Sequence, residues 1–213
     1  MLFYTKTNCI IKQYGKIPRI YSRVHFDILK KISNNKPMIN YISNSNNSVY
    51  YRTTGGLHYR VFTLFPTYSK KESKYSYSSN EFASLFFSIF ASNLWNIYYY
   101  SFSNCLDVSR YELESFRFSA DCITQKNRNI IFNILIKLNK NIDDNSSTEI
   151  RNYAERGEIE CYTVEMRKSK SIIDEIDAIL AEHYGFTAEE LDFIINYDIK
   201  YRMGKELENE DEE

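Results

Sequence analysis

The sequence predicts an α+β fold with a small antiparallel sheet that contains a β-hairpin, a central buried helix and a C-terminal helical hairpin. Three patterns support this prediction. Residues 49–66, VYYRTTGGLHYRVFTLFP, have the composition of two short strands around a Gly-Gly turn. Apolar residues then recur at helical spacing between residues 82 and 97. Two further segments with helical spacing close the chain, and Gly185 separates them.

The hairpin is predicted to turn at Gly55-Gly56, a dipeptide that suits a two-residue turn. Such a turn gives the cross-strand pairs Thr54 with Leu57, Arg52 with Tyr59, Tyr51 with Arg60, and Val49 with Phe62. Each side of the tip then carries one arginine–tyrosine pair, while apolar side chains gather at the base. We therefore expect a ribbon that is anchored at its base and projects at its tip.

The segments around the hairpin predict loops. Residues 41–50, YISNSNNSVY, are rich in Asn and Ser, which favour turns. Residues 66–80, PTYSKKESKYSYSSN, predict a basic, flexible connection. The central helix follows, with Ser78 and Glu81 as a capping box at its start. It is apolar most of the way round, which is typical of a buried helix.

The second half of the chain predicts helices and one strand. The spacing of Ile and Leu predicts a helix from residue 125, in QKNRNIIFNILIKLNKN. A strand is predicted from residue 158, in EIECYTVEM. Gly185 is expected to end the first closing helix. Thr187 and Glu190 form a capping box for the second, which Gly204 can end. From about residue 205 the acidic end is expected to be disordered.

Charge is distributed unevenly along the chain. Residues 1–140 carry 19 basic and seven acidic residues, whereas residues 141–213 carry eight basic and 21 acidic residues. We therefore predict a basic domain at 1–140, suited to a phosphate backbone, and an acidic tail at 141–213, with a strand and a two-helix docking hairpin. An AT-rich genome would also raise the lysine content, but it would not explain the acidity of the tail.

The motifs of common enzymes are absent from the sequence. The six glycines form neither a GxGxxG pattern nor a P-loop, and no two of the three prolines are adjacent, as an Asn-Pro-Pro-aromatic loop requires. The three histidines are too scattered to suggest a metal cluster or a catalytic triad. No two of the four cysteines have CxxC spacing, so we expect four buried thiols in a reducing cytoplasm. The chain alone is therefore predicted to be non-catalytic, with no cofactor, no metal and no membrane span.

The chemistry of the hairpin suits contact with a polyanion, above all DNA. Arginine matches phosphate oxygens and the guanine edge, tyrosine can stack, and a two-stranded ribbon fits the major groove. The residues expected to contact the groove are Tyr50, Tyr51, Arg52, His58, Tyr59 and Arg60. Phosphate contacts are expected from Lys70, Lys71 and Lys74, while Arg110 and Arg117 are either phosphate contacts or structural. The alternative is an ordinary edge hairpin whose arginines stack on tyrosines in solvent.

Four segments resemble one family of proteins. The closest resemblance is in residues 170–204, KSIIDEIDAILAEHYGFTAEELDFIINYDIKYRMG. This segment closely resembles the C-terminal end of TaqI-like adenine DNA methyltransferases, and more narrowly that of the fused type IIG restriction-modification enzymes. Residues 16–32 and 49–62 are similar to the target-recognition region of that family. Residues 82–118 resemble its helix that ends near Leu-Asn-Ser, although this chain has Ser92-Asn93-Leu94 at that place.

The resemblance implies a function in DNA recognition. In that family the N-terminal half holds S-adenosylmethionine and the catalytic loop, while the C-terminal half grips duplex DNA and reads the site, and the target adenine is flipped into the catalytic half. It implies that this cytoplasmic chain selects the site on double-stranded DNA. The chemistry would reside in a methyltransferase half, with or without a nuclease, so that the complete protein is an adenine-specific methyltransferase or type II restriction enzyme. The alternative is a protein-interaction module that acts through the acidic helical hairpin.

Overall fold

The structure is a computed structural model that describes residues 16–54, 62–67, 69–153 and 157–199. Seven α-helices and five strands lie within these ranges, and the fold is mixed α+β, as predicted. The helices are α1 (Arg23–Ser33), α2 (Asn80–Ala91), α3 (Asn93–Phe102), α4 (Arg110–Ser115), α5 (Gln125–Asp144), α6 (Lys170–Tyr184) and α7 (Ala188–Asn196). The strands are β1 (Ile42–Arg52), β2 (Phe62–Thr63), β3 (Glu72–Tyr77), β4 (Ser146–Tyr153) and β5 (Gly157–Val164).

The described strands form two antiparallel sheets. The first has the order β2-β1-β3, so that β1 is central, and the second is the two-stranded sheet β4-β5. β5 confirms the strand that was predicted from residue 158, whereas β4 was not predicted. One face of the three-stranded sheet packs against α2, and the other face points away from the core.

Two segments that were predicted as loops are strands. Residues 41–50 form most of β1, and residues 66–80 contain β3. Both strands bury alternate side chains, namely Val49 and Tyr51 in β1 and Tyr75 and Tyr77 in β3. The prediction was wrong because Asn, Ser and Lys dominate the composition of these segments, while the packing of every second side chain decides whether a strand forms.

The predicted register of the hairpin is also wrong. A two-residue turn at Gly55-Gly56 would place Tyr51 opposite Arg60, but Tyr51 lies opposite Phe62. Burial explains the difference, because the Phe62 ring lies 5.0 Å from that of Phe90. A shift by two residues would move Phe62 along the strand and away from this contact. Residues 55–61, which contain the predicted tip, lie outside the described residues.

The central helical segment is two helices rather than one. α2 begins after Ser79, one residue later than predicted, and the Ser79 hydroxyl accepts a hydrogen bond from the Phe82 amide at 3.2 Å. Ser92 separates α2 from α3 and caps α3 in the same way, through the Trp95 amide at 3.1 Å. Both helices are buried almost all round, as their composition predicts.

One hydrophobic core spans the predicted domain boundary at residues 140 and 141. The boundary falls inside α5, and the core contains Ile131 and Leu138 from α5 together with Ile173 and Leu180 from α6. The acidic half of the chain therefore contributes to the same core as the basic half.

The C-terminal helical hairpin has the predicted turn. Gly185 ends α6 in the left-handed conformation at φ +66°, and Thr187 and Glu190 form the predicted capping box of α7. α7 ends at Asn196, so Gly204 does not end it and lies outside the described residues. Among the helices that the structure describes, none combines the length and apolar composition that a membrane crossing requires.

Candidate nucleic-acid interface

The outer face of the three-stranded sheet carries three of the residues predicted to contact DNA. Because side chains alternate along a strand, Tyr50 and Arg52 point away from the face that buries Tyr51. Lys74 lies directly opposite Tyr50 on β3, and Glu72 lies opposite Arg52. The pleat of the sheet therefore brings two cations, one aromatic ring and one carboxylate onto one face.

Arg52 keeps its charge free of its cross-strand neighbour. The Glu72 carboxylate bonds the turn that precedes β3, where its Oε2 accepts hydrogen bonds from the Thr67 amide at 2.7 Å and from the Thr67 hydroxyl. No ion pair joins Arg52 to any acid among the described residues, and its side chain is exposed. The guanidinium is thus available to an external anion.

Lys74 and Tyr50 form a cross-strand pair. The Lys74 ammonium lies 5.8 Å from the centroid of the Tyr50 ring, within the range of a cation–π contact. Tyr50 is half-buried and Lys74 is exposed. This contact orients the lysine over the outer face and leaves its charge accessible.

Two further cations lie in the turn that leads into β3. Lys70 and Lys71 are exposed, and neither has an ion-pair partner among the described residues. The Thr53 amide and hydroxyl both donate to the Lys71 carbonyl, at 2.8 and 3.0 Å, and this fixes the turn beside the end of β1. We call Arg52, Lys70, Lys71 and Lys74 the cationic surface.

Tyr51 was predicted to contact the groove, but it is buried in the core. Its side chain is only 4% exposed and stacks between Phe62 and Tyr75, at centroid distances of 6.0 and 6.1 Å. Burial also raises the pKa of its hydroxyl. Tyr51 is a core residue, because the register of β1 places it between these two rings.

Arg117 is structural, which was one of its two predicted roles. Its Nη1 donates to the Asn35 carbonyl at 2.9 Å, and its own carbonyl accepts from the Tyr184 hydroxyl at 2.6 Å. It thereby joins the segment after α1 to the end of α6. The structure does not support the alternative role as a phosphate contact.

Arg110 is exposed but already paired. Its Nε lies 3.1 Å from a Glu114 carboxylate oxygen and 3.0 Å from the Tyr75 hydroxyl. The carboxylate compensates the guanidinium charge, so we leave Arg110 outside the cationic surface. His58, Tyr59 and Arg60, the other predicted contacts, lie outside the described residues.

Several acids of the helical hairpin are used inside the molecule. Glu190 is buried and lies 2.6 Å from the Lys31 ammonium, and Glu175 lies 3.1 Å from that of Lys137. These pairs dock α6 and α7 on the chain's own α1 and α5. These two acids of the predicted docking hairpin are therefore already paired within the molecule.

An aromatic cleft was not predicted from the sequence. The rings of Tyr21, Tyr100, Phe193 and Tyr197 line a cavity of about 580 Å³, together with Asp192 and Asp198. They come from the segment before α1, from α3, and from α7 and its end. No local pattern could have identified the cleft, because its walls are distant in sequence.

The cysteines differ in part from the expectation. Cys122 is exposed and Cys105 is half-buried, so these two thiols are not buried as predicted; Cys122 lies in a short surface turn. Within the described ranges, no group of three or more His, Cys, Asp and Glu side chains could hold a metal ion.

Comparison with family models, with curated proteins and with solved structures found no match to the chain. The resemblance to TaqI-like methyltransferases therefore stays a prediction from the quoted segments.

Proposed function

We propose that the chain binds duplex DNA through the cationic surface. The observation that carries this proposal is that four predicted contact residues gather on and beside one face of a sheet without an ion-pair partner among the described residues. A phosphate backbone compensates such charges and releases its condensed counterions when it binds them. The sheet holds Arg52 and Lys74 on a rigid element, which is the arrangement that recognition of a duplex requires.

Tyr50 adds a second kind of contact to this surface. Tyrosine can stack or donate a hydrogen bond with little loss of conformational entropy. The Lys74 ammonium lies over the Tyr50 ring, so the surface offers a positive charge and an aromatic ring side by side. The surface is thereby suited to contacts with phosphate and with groove edges at the same time.

The finer proposal is that the chain is the sequence-recognition module of an adenine-specific DNA methyltransferase or type IIG enzyme. Two observations support this proposal: the family resemblance of the quoted segments and the absence of catalytic motifs from the sequence. S-adenosylmethionine and the catalytic loop would belong to a separate methyltransferase half. Incubation of the chain alone with labelled S-adenosylmethionine and mixed-sequence DNA should therefore give no methyl transfer, and transfer above background would contradict this assignment.

A charge-matched pair of variants tests DNA binding. Fluorescence anisotropy of a labelled duplex, measured at several salt concentrations, gives the affinity and its salt slope. Replacing Lys70, Lys71 and Lys74 with alanine should lower the slope by about 0.9 for each phosphate that is no longer neutralised. The control replaces three exposed lysines elsewhere, Lys30, Lys126 and Lys140, and should leave the slope nearly unchanged. Equal effects of the two triple variants, or no salt-dependent binding by the wild type, would refute the proposal.

A further inference from the structure

The aromatic cleft has a concave wall of π faces. The Tyr100 and Tyr197 ring centroids are 6.2 Å apart with an interplanar angle of 38°, and Phe193 lies 5.7 Å from Tyr197 at 52°. Tyr21 closes the wall on another side, and its ring is 66% exposed. Rings that are inclined to each other in this way line one open cleft from several directions.

His25 supports the wall and adds no positive charge to it. It stacks on Tyr21 at 5.6 Å and on Phe193 at 5.9 Å. Its Nδ1 accepts from the Tyr21 amide at 3.4 Å, so the proton lies on Nε2, which is 2.9 Å from the Ser101 hydroxyl. Burial lowers the pKa of His25 to about 4, which keeps the ring neutral near pH 7.

The charged groups at the cleft are mainly negative. Asp192 accepts a hydrogen bond from the Asn196 side-chain amide at 2.9 Å, and neither Asp192 nor Asp198 has an ion-pair partner among the described residues. Among the described residues the cation Arg19 lies nearby, but its Nη1 is held by the Tyr100 carbonyl at 2.8 Å and by the Cys105 sulfur at 3.3 Å. Two carboxylates therefore face the cleft against one guanidinium that is already bound.

We propose that this cleft binds an organic cation of the alkylammonium class. The faces of tyrosine and phenylalanine rings attract such a cation through their quadrupoles, and this attraction grows when the site is partly desolvated. The two carboxylates add Coulombic attraction and select against phosphate-bearing ligands. The alkyl groups of the ligand would contact the apolar walls while its charge lies near Asp192 and Asp198. The site does not depend on the proposed DNA-binding surface.

A pair of ligands with the same shape and different charge tests the proposal. Choline and 3,3-dimethylbutan-1-ol are titrated separately into the full chain, and binding is followed by calorimetry or by chemical-shift changes. We expect choline to bind about fivefold or more tightly than its neutral counterpart. Equal affinities would mean a merely apolar cleft and would overturn the proposal, as would tighter binding of adenosine, which would indicate a nucleobase site.

Variants of the lining residues locate the binding. Tyr21→Leu and Asp192→Asn should each weaken choline binding about fivefold. Tyr21 is largely exposed and asparagine can still accept from Asn196, so both variants are expected to fold, and urea unfolding checks this. The matched control is Glu189→Gln, which removes a negative charge from an exposed residue of the same helix outside the cleft. Unchanged choline binding by both lining variants would refute the site.

A second titration distinguishes whether the cation belongs to a partner protein or to a free small molecule. A short Gly/Ser peptide with a single lysine presents an ammonium as a partner protein would, whereas choline represents a free small molecule. Binding of the peptide at least as tightly as choline would support a protein partner. Preference for choline would support a small-molecule ligand, and failure of both ammonium compounds to bind would overturn the proposal.

Discussion

Arg52 and Lys70 are both cations of the cationic surface, but they differ in what they can recognise. Arg52 projects from a strand, and its planar fork matches the O6 and N7 edge of guanine. Lys70 lies in a turn and presents a point charge that suits phosphate. The two side chains are therefore expected to contribute differently to DNA binding.

We predict that Arg52→Ala relaxes the preference for one base position, by about 1–3 kcal/mol, whereas Lys70→Ala weakens all sequences alike. Selection of bound sequences from a randomised duplex pool measures both effects, for the chain alone or with a methyltransferase half. An Arg52 variant that loses only overall affinity would limit this residue to a phosphate contact. Base reading would then have to come from another segment, such as residues 104–117.

His25 predicts a pH dependence of stability. Burial lowers its pKa in the folded state to about 4, while the unfolded chain has the ordinary value of 6.5. The unfolded state therefore binds the proton first, so the contribution to stability is complete above pH 6.5 and is lost as the pH falls towards 4. The full difference corresponds to about 3 kcal/mol.

The test for His25 compares urea unfolding of the wild type and His25→Gln between pH 7 and pH 5, above the range in which most carboxylates titrate. The wild type should lose stability more steeply than the variant. Parallel curves would mean that His25 is protonated equally well in the folded and unfolded states. His183, whose pKa burial also lowers, is present in both proteins, so its effect cancels in the comparison.

At the scale of elements, the N-terminus of α3 is held by a residue of α6. Asp177 is only 1% exposed, and its two carboxylate oxygens accept hydrogen bonds from the Asn93 and Leu94 amides, both at 3.0 Å. A carboxylate at a helix N-terminus satisfies unpaired amides and interacts favourably with the helix dipole. The acidic hairpin thus stabilises the central buried helix directly.

We predict that Asp177→Asn lowers the free energy of unfolding by about 2 kcal/mol, because the amide group of asparagine would turn a donor towards a helix N-terminus that needs an acceptor. Urea denaturation followed by circular dichroism measures the change. Asp192→Asn serves as the control, since Asp192 lies at the surface. A decrease no larger than that of the control would show that the Asp177 carboxylate is dispensable.

The turn between α6 and α7 depends on Gly185. Its φ of +66° is costly for residues with a Cβ, although no atom lies within 4 Å of the position that a Cβ would occupy. Gly185→Ala should therefore destabilise the fold by about 1 kcal/mol through backbone strain alone. Gly185→Asn should recover part of this stability in thermal unfolding, because asparagine tolerates the left-handed conformation. Alanine and asparagine variants with wild-type stability would argue against a left-handed residue here.

At the scale of the whole molecule, the basic and acidic halves share one hydrophobic core. α6 inserts Ile173, Ile176 and Leu180 into the core, and each is fully buried. Removal of a single large aliphatic side chain from a core costs about 2–5 kcal/mol, which is comparable to the stability of many small proteins. The hairpin therefore cannot be treated as an appendage.

We predict that deletion of residues 168–213 abolishes the native fold, and with it ordered DNA binding. Deletion of residues 205–213 alone, the predicted disordered end, should leave the unfolding curve unchanged. Circular dichroism and dispersion of amide NMR signals distinguish the two outcomes. A well-folded chain without residues 168–213 would contradict this prediction and show that the basic domain folds without the acidic hairpin.

The sequence by itself determined the elements whose signals are local. Capping residues and a glycine at the proper spacing specify the helical hairpin, and apolar periodicity identifies α5 and the central helical segment, although not its division at Ser92. These signals are local because short-range sterics and burial of one face act within a single segment. Arg52, Lys70, Lys71 and Lys74 were also selected as candidates from residue type alone. Residue type alone could not show that these four residues lie together on one surface.

Only the tertiary structure decided which side chains share a face and which charges are free. β1 and β3 are strands because Tyr51, Tyr75 and Tyr77 are buried in the core, where Tyr77 stacks on Phe86 of α2. This burial against distant segments outweighs the local preference of Asn and Ser for turns. The same contacts turn Tyr51 into the core and leave Arg52 outside. Pairing likewise decides whether a charge is available. Arg110 forms an ion pair with Glu114, whereas the acid opposite Arg52, Glu72, bonds Thr67 and forms no described ion pair with Arg52. This difference depends on contacts in three dimensions.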